Sequence, residues 1–442
     1  MSVAEDAADL AALSAAIDAA PEDALAYNNR GNKYRALKRP ADALEDYRRC
    51  AFLAPSDLKW RFNVGLALID LNRCEEALPW VRQAASIEPP FWPAITAVGE
   101  ALLRLGQARD AIPWFDRVLA AEPADVQARL GRAVALLSLG EYREGWIGFE
   151  VRLHDQRLGQ WRPDTDHPPW RGDVDLAGRT LLVTAEQGLG DSIMMARYLP
   201  MLTALGGRIV LQVQRQLPAL LAGMADVVML LGEAPPDYDM HVPMMSLPRA
   251  FRTELETIPR TVPYLKVAPA VRTRWRRRLG RAMRPRIGLA WSGNVLHPLD
   301  GLRSMPFAAL APLLTRIDAD FHVLHLPVRA AEAANLDAFP QLHQHGAERS
   351  FLDTAGLVLA MDLVISVDTS IAHLAGALGQ SVWLALPAGT TDFRWLRGRA
   401  DSPWYPTMRI FRQPRLGDWA GLVEDVIEAW EHGAMARQRP AT

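Results

Sequence analysis

Pro21, Pro55, Pro89 and Pro123 stand 34 residues apart. The same step relates Gly31, Gly65, Gly99 and Ala133, and again Ala43, Ala77, Ala111 and Gly145. Three registers with one period restrict the first third of the chain severely, because each unit must be one supersecondary structure that buries its apolar face only against its neighbours. A small residue in a first helix lets a second helix approach closely. A proline then stops the second helix, since it lacks the N–H that the next turn needs. Aromatic residues such as Tyr34, Tyr47 and Phe115 fill the remaining space. Residues 4 to 21 match only the second half of a unit and the fourth unit is weaker, as in the terminal members of a short solenoid.

A 34-residue helical hairpin with Gly, Ala and Pro so placed resembles the tetratricopeptide repeat (TPR). The resemblance implies an α-helical TPR solenoid over residues 1–154 with a concave face that holds a partner protein. Two residues before the small position, the first two units carry Asn29 and Asn63, and the next two carry Ala97 and Gly131. In some repeats of this class an Asn at that place hydrogen-bonds the backbone of an extended ligand, its amide offering both donor and acceptor. Asn29 and Asn63 are therefore the candidate partner-binding residues. A plain structural spacer is the competing expectation.

The helical period fails between residues 155 and 178, where "QWRPDTDHPPWRGDVDLAG" is rich in Pro, Asp and Gly and reads as a linker. After it, "RTLLVTAEQGLGDSIMMARYLPML" gives a strand, a Gly turn and a helix, and "GRIVLQVQ" gives the next strand. That is the opening of an α/β lobe, expected over 179–282, with its first loop at the strand's carboxyl end, where ligands sit in open parallel sheets. The loop carries Gly188 and Gly190 but not the GxGxxG fingerprint of dinucleotide binding. A second α/β lobe is expected over 283–442, from the strand in "RPRIGLAWSGN" to a C-terminal amphipathic helix in "GDWAGLVEDVIEAWEHG". The basic stretch before it, "VRTRWRRRLGRAMRPR", reads as a helix with a solvated face.

The stretch "VISVDTSIAHLAGALG", residues 364–379, carries the most chemistry. A buried strand runs straight into a helix, so free backbone N–H groups and a positive dipole end face whatever lies in the crevice. That is an anion site, most naturally one for phosphate. An ordinary N-cap accounts for one polar residue. It does not account for Asp368, Thr369 and Ser370 followed by His373 on the first turn.

"VDTSIAHLAGALGQSVW" is similar to the donor-binding motif of the heptosyltransferase-like family nine glycosyltransferases, and "EQGLGDSIMMARYLP" resembles their N-terminal Gly-Asp loop. The resemblance implies a GT-B fold of two Rossmann-like lobes, 179–282 on the acceptor side and 283–442 on the nucleotide-sugar side. It also implies an inverting transfer of sugar from a nucleotide-sugar donor to a hydroxyl, with no cofactor and no metal. In that pattern Asp368, Thr369, Ser370 and His373 surround the donor diphosphate. "WSGNVLHPLDGLRSMP" resembles the other diphosphate loop, with Ser292 and Asn294 near the phosphates and Arg303, beside Ser304, offsetting leaving-group charge. Gly188 and Gly190 belong to the Gly-Asp loop, and Asp191 matches the general base. On residue chemistry alone, Asp191 after "GLG" also reads as a helix N-cap, with Glu186 the next candidate base. The acceptor is expected to be a protein recruited by the repeats. Two alternatives stand: a non-catalytic TPR adaptor with a degenerate transferase region, and transfer to a lipopolysaccharide-type glycan.

Composition sets the outer bounds. With 442 residues, 50% hydrophobic and 23% charged, the chain is expected to bury several cores, and a net charge of -2 argues against nucleic acid as a partner. No apolar run is long enough to span a membrane; "LLAGMADVVMLLG" is broken by Asp226. The acidic start "MSVAEDAADL" lacks a signal-peptide pattern, so a cytoplasmic location is expected. Cys50 and Cys74 are too few for a disulfide framework or a zinc cage and read as buried thiols. His343 and His345, in "QLHQHGAE", read as a solvated loop with no metal.

Overall fold

A computed structural model describes residues 3–154, 165–297, 299–325, 327–346, 350–389 and 392–438. Two compact units divide the chain: residues 1–154 with 389–393, and residues 155–388 with 394–442. Residues 155–164 of the expected linker lie outside the described residues.

The first unit is a solenoid of helices α1 (Val3–Ala19), α2 (Ala24–Ala36), α3 (Pro40–Leu53), α4 (Leu58–Asp70), α5 (Cys74–Ala84), α6 (Trp92–Arg104), α7 (Ala108–Ala121), α8 (Val126–Leu139) and α9 (Tyr142–Phe149). The starts of α2, α4, α6 and α8 keep the 34-residue step. Asp23, Asp57 and Asp125, in the same register, cap three of these helices by accepting from Leu25, Lys59 and Ala128 N–H. The small residues do what the repeat needs. A Cβ on Gly31 would meet the Tyr47 ring at 2.7 Å, and one on Gly99 would meet Phe115 at 2.7 Å. Each glycine thus makes room for a residue sixteen positions on, which fills the hairpin. Ala43, Ala77 and Ala111 are fully buried in the same core. Cys50 and Cys74 are buried free thiols, and desolvation raises them to about 12 and about 11. Segment 389–393 joins this unit: the Phe393 ring packs edge-on against Trp146 at 4.9 Å, and its carbonyl accepts from Tyr142 Oη at 2.7 Å.

The second unit is α/β with two wholly parallel sheets. β1 (Thr180–Thr184), β2 (Arg208–Val213), β3 (Val227–Leu230) and β4 (Met240–Pro243) form one, in the order β3-β2-β1-β4. β5 (Arg286–Ala290), β6 (Asp320–Val323), β7 (Leu342–His343), β8 (Leu363–Val367), β9 (Val382–Leu386) and β10 (Met408–Arg412) form the other, in the order β10-β9-β8-β5-β6-β7. The second order is that of a doubly wound sheet, whose strand order reverses between β5 and β8. The central strands β1, β5 and β8 are apolar runs buried on both faces, as helix-covered parallel sheets require.

Two expectations are corrected. Residues 165–178, read as linker, pack on the first sheet: Pro169 bridges His241, Trp170 is buried, and Leu176 is fully buried. His343 and His345 do not form a solvated loop. His343 lies in β7, and His322 on β6 stacks on both, its Nδ1 2.8 Å from His345 Nε2. Desolvation first, then His345 and His343, pull His322 down to about 3. The basic stretch forms the helix Pro269–Leu279, anchored by buried Trp275, with its arginines exposed. Among the described residues no helix is long and apolar enough to cross a membrane, and no group of His, Cys, Asp and Glu could hold a metal ion.

Candidate functional site

In a doubly wound sheet the crevice lies beyond the carboxyl ends of the strands where the order reverses. Here those ends are Ala290 on β5 and Val367 on β8, so the loops that meet there are "WSGN" and "DTS", the two that the sequence singles out.

Beyond β8, Thr369 is the N-cap of the helix Ser370–Ala377. It is extended, and its Oγ1 accepts from Ile371 N–H and lies 3.2 Å from Ser366 Oγ. One polar residue of the motif is therefore spent on capping, and it is Thr369. Ser370 N–H, at the first helical position, has no intrahelical acceptor. His373 is buried on the first turn. Its Nδ1 lies 2.9 Å from Tyr405 Oη, and its Nε2 lies 3.9 Å from Asp368 Oδ1. Desolvation, then Arg394 and Arg197, hold it well below its ordinary value, so the imidazole is neutral. Burial keeps Tyr405 protonated. The tautomer that suits both neighbours has Tyr405 Oη–H donating to Nδ1 and the ring proton on Nε2, toward the Asp368 carboxylate.

The first sheet delivers its loop to the same place. After β1, Gly188 caps the helix Leu189–Met195, and a Cβ on Gly190 would sit 2.6 Å from His373 Cδ2. Only glycine permits that approach. Asp191 is not the N-cap expected of it. The helix begins two residues earlier, which makes Asp191 the third helical residue, and its Oδ2 reaches back to accept from Gly188 N–H at 2.9 Å. Its Oδ1 is paired with Arg394, which the sequence reading passed over. Glu186 is buried, with Oε1 accepting from Met245 N–H.

Beyond β5, Ser292 is buried and Asn294 is exposed, its Oδ1 turning back to accept from Leu296 N–H. The Arg303 guanidinium lies on the Gly293 backbone, where a Cβ would come within 2.8 Å of it. Ser304 is an internal node. Its hydroxyl donates to Asp300 Oδ1 and accepts from Gly293 N–H and Arg329, while Arg329 also pairs with Asp300. Arg329 follows β6 and supplies a cation that motif matching did not pick out. Partial desolvation, then Arg303, lower His297, with Asp300 and Asp191 opposing, so this loop and Asp191 share one field.

A buried guanidinium holds the arrangement. Arg197 donates to Met194 O, Pro259 O and Trp404 O and to Tyr264 Oη, and lies over the rings of Tyr264, Trp404 and Tyr405. It ties the helical connection after β1 to the segment bearing Tyr405. The whole arrangement offers helix-start N–H groups, a neutral His donor and guanidinium groups beside carboxylates, which is chemistry for an anion. In the solenoid, Asn29 is exposed, while Asn63 Nδ2 donates to Asn28 Oδ1 at 2.7 Å, so that amide is partly committed within the repeats.

The tetratricopeptide repeat family matches residues 10–57, 34–91 and 97–144. Protein FlbA of Caulobacter vibrioides is 28% identical over 315 residues, 65% of this chain and 52% of that protein. The chain thus spans about half the length of the curated relative it matches. Among solved structures, MamA is 17% identical with a TM-score of 0.30, covering 34% of this chain and 88% of its own. YrrB, described as a TPR protein with an unusual peptide-binding site, is 23% identical with a TM-score of 0.28, covering 33% and 76%. The N-terminal region is a TPR solenoid, a protein-interaction domain, followed by an α/β region with parallel sheets.

Proposed function

We propose that the α/β region is a GT-B glycosyltransferase, with 179–282 as acceptor lobe and 283–442 as nucleotide-sugar lobe, and that the repeats recruit a protein acceptor. The observation that carries this reading is the convergence of the Gly-Asp loop on the helix start at Ser370. Gly190 lies against His373, and Asp191 pairs with Arg394 there. Two loops far apart in sequence, each resembling one half of a transferase motif, meet at a single point at the sheet's switch point.

In this reading the donor diphosphate lies on Ser370 N–H and hydroxyl, with His373 Nε2–H as a neutral donor. Arg303 offsets the negative charge that builds on the leaving phosphate oxygen. An acceptor hydroxyl attacks the anomeric carbon from the opposite side. A carbon–oxygen bond forms, the bond to the phosphate oxygen breaks with its electrons leaving on the nucleoside diphosphate, and the hydroxyl proton passes to Asp191. The anomeric configuration inverts. Ser304, named with Arg303 in the diphosphate loop, supports that loop through Asp300.

The adaptor reading draws on one observation, that both oxygens of Asp191 are engaged. Titrating the full chain with nucleotide sugars by calorimetry separates the two. The transferase binds one with its diphosphate essential to affinity, and the adaptor binds none.

A further inference from the structure

We infer that Arg394 serves two anions in turn, holding Asp191 while the site is unloaded and moving to the donor's diphosphate when it is loaded. This rests on the transferase reading above. Arg394 follows β9 in sequence, on the connection to β10, and the side chains of both members of the pair are largely out of solvent, 12% exposed for Arg394 and 20% for Asp191. A guanidinium withdrawn from water this far is stabilised by an anion beside it. Its reach is not confined to Asp191. After burial, its charge is the largest influence on His373, which stands on the first turn of the proposed phosphate helix. Geometry agrees: the ring of Trp395, the next residue, lies 5.4 Å from the His373 ring, and Gly190, beside Asp191, lies against His373.

The carboxylate has a matching need. Gly188 N–H holds Oδ2, and Arg394 covers Oδ1. Each oxygen thus already accepts one hydrogen bond, and an acceptor hydroxyl must share Oδ1 with Arg394 until Arg394 leaves. A diphosphate on the helix start offers Arg394 a more highly charged partner, so loading the donor uncovers the base. The arrangement imposes an order, with donor bound before the acceptor hydroxyl is activated, and it shields the base from water while the site is empty.

Competition between two anions for one cation has a signature that a purely structural ion pair lacks. Inorganic pyrophosphate, UDP, GDP and ADP are titrated by calorimetry into the full chain and into Asp191→Asn, Arg394→Ala and the double variant. Asp191→Asn keeps the bond to Gly188 and releases Arg394, so the probe that binds should bind roughly five- to tenfold more tightly. Arg394→Ala should bind it at least tenfold more weakly, about one charge-assisted hydrogen bond. The double variant should match Arg394→Ala within about twofold, because Asp191 then competes for nothing. If Asp191→Asn tightens binding as much without Arg394 as with it, simple charge repulsion is at work and the exchange is refuted, while the transferase reading stands. If Arg394→Ala leaves affinity unchanged, the exchange is likewise refuted. Should Arg394→Ala fail to fold, Arg394→Gln, which keeps the side chain's bulk without its charge, takes its place in the single and double variants, and unchanged or weaker binding in Asp191→Asn overturns the inference by itself. If no probe binds the unsubstituted chain, the inference and the reading it rests on fall together.

Discussion

Replacing Gly190 by alanine tests the packing on which the site is built. The added Cβ would stand 2.6 Å from His373 Cδ2 and 3.3 Å from Nε2, inside any ordinary contact distance. His373 cannot retreat cheaply, because it is buried and bonded to Tyr405. Overpacking of this kind costs about 1–3 kcal/mol, and loosening the His373–Tyr405 bond adds about 1 kcal/mol. Alanine returns up to about 1 kcal/mol through its better helix propensity. The net loss is about 2 kcal/mol, which for a unit of this size lowers its melting transition by roughly 3–4 °C. Gly188→Ala is the control two residues away. Its Cβ would meet only the Asp191 carboxylate, at 3.1 Å, and its φ of -70° suits any residue. Scanning calorimetry of the two variants should therefore separate them by several degrees. Equal melting temperatures would refute the claim that the Gly-Asp loop is seated on His373.

Three further outcomes follow from the geometry. Arg303→Ala should weaken nucleoside diphosphate binding by about 1.5–3 kcal/mol, tenfold or more, and unchanged affinity by calorimetry would remove Arg303 from the site. Phe393→Ala should lower the melting transition of the repeat unit, since the Phe393 ring packs on Trp146; such truncations cost about 3–5 kcal/mol in a core, and an unmoved repeat transition would count against the assignment of 389–393 to that unit. His322, pulled down to about 3 by desolvation and its two histidine neighbours, contributes stability that is full above its unfolded value near 6.5 and is lost as pH falls toward 3. Denaturant melts of His322→Gln from pH 7 to pH 4 should show a flatter decline than the parent, and parallel curves would contradict the account.

The solenoid was legible because its period is written in residues that sterics dictate: a glycine facing Tyr47 or Phe115 admits no Cβ, so the register shows in the letters. The switch-point loops were legible for the same reason, since a helix start close against a strand leaves Asp, Thr, Ser and small residues in fixed order. What the sequence hid depends on contacts between distant segments. Nothing near Arg394 or Arg197 marks them as partners of Asp191 and Trp404, and β6 and β7 bring His322 to His343 and His345 only through sheet pairing. The cap that residue chemistry offers as the alternative reading of Asp191 sets the helix start too late, because helix starts shift by a residue or two without changing composition. The short strands β3, β4 and β7 lacked the length that makes a strand visible as a pattern.

The central claim is that Asp191 takes a proton from an acceptor hydroxyl while the lobe beyond β5 holds a nucleotide sugar. The most direct measurement is sugar transfer by the full chain from a panel of nucleotide sugars, with the product anomer read by NMR and Asp191→Asn run in parallel. The account predicts turnover from at least one donor, with inverted configuration. It also predicts a fall of about 100-fold or more in Asp191→Asn, measured at a temperature where that variant is folded, since losing the pair with Arg394 lowers its melting temperature. Retained configuration, or an Asp191→Asn variant that transfers sugar at the parent rate, would contradict it.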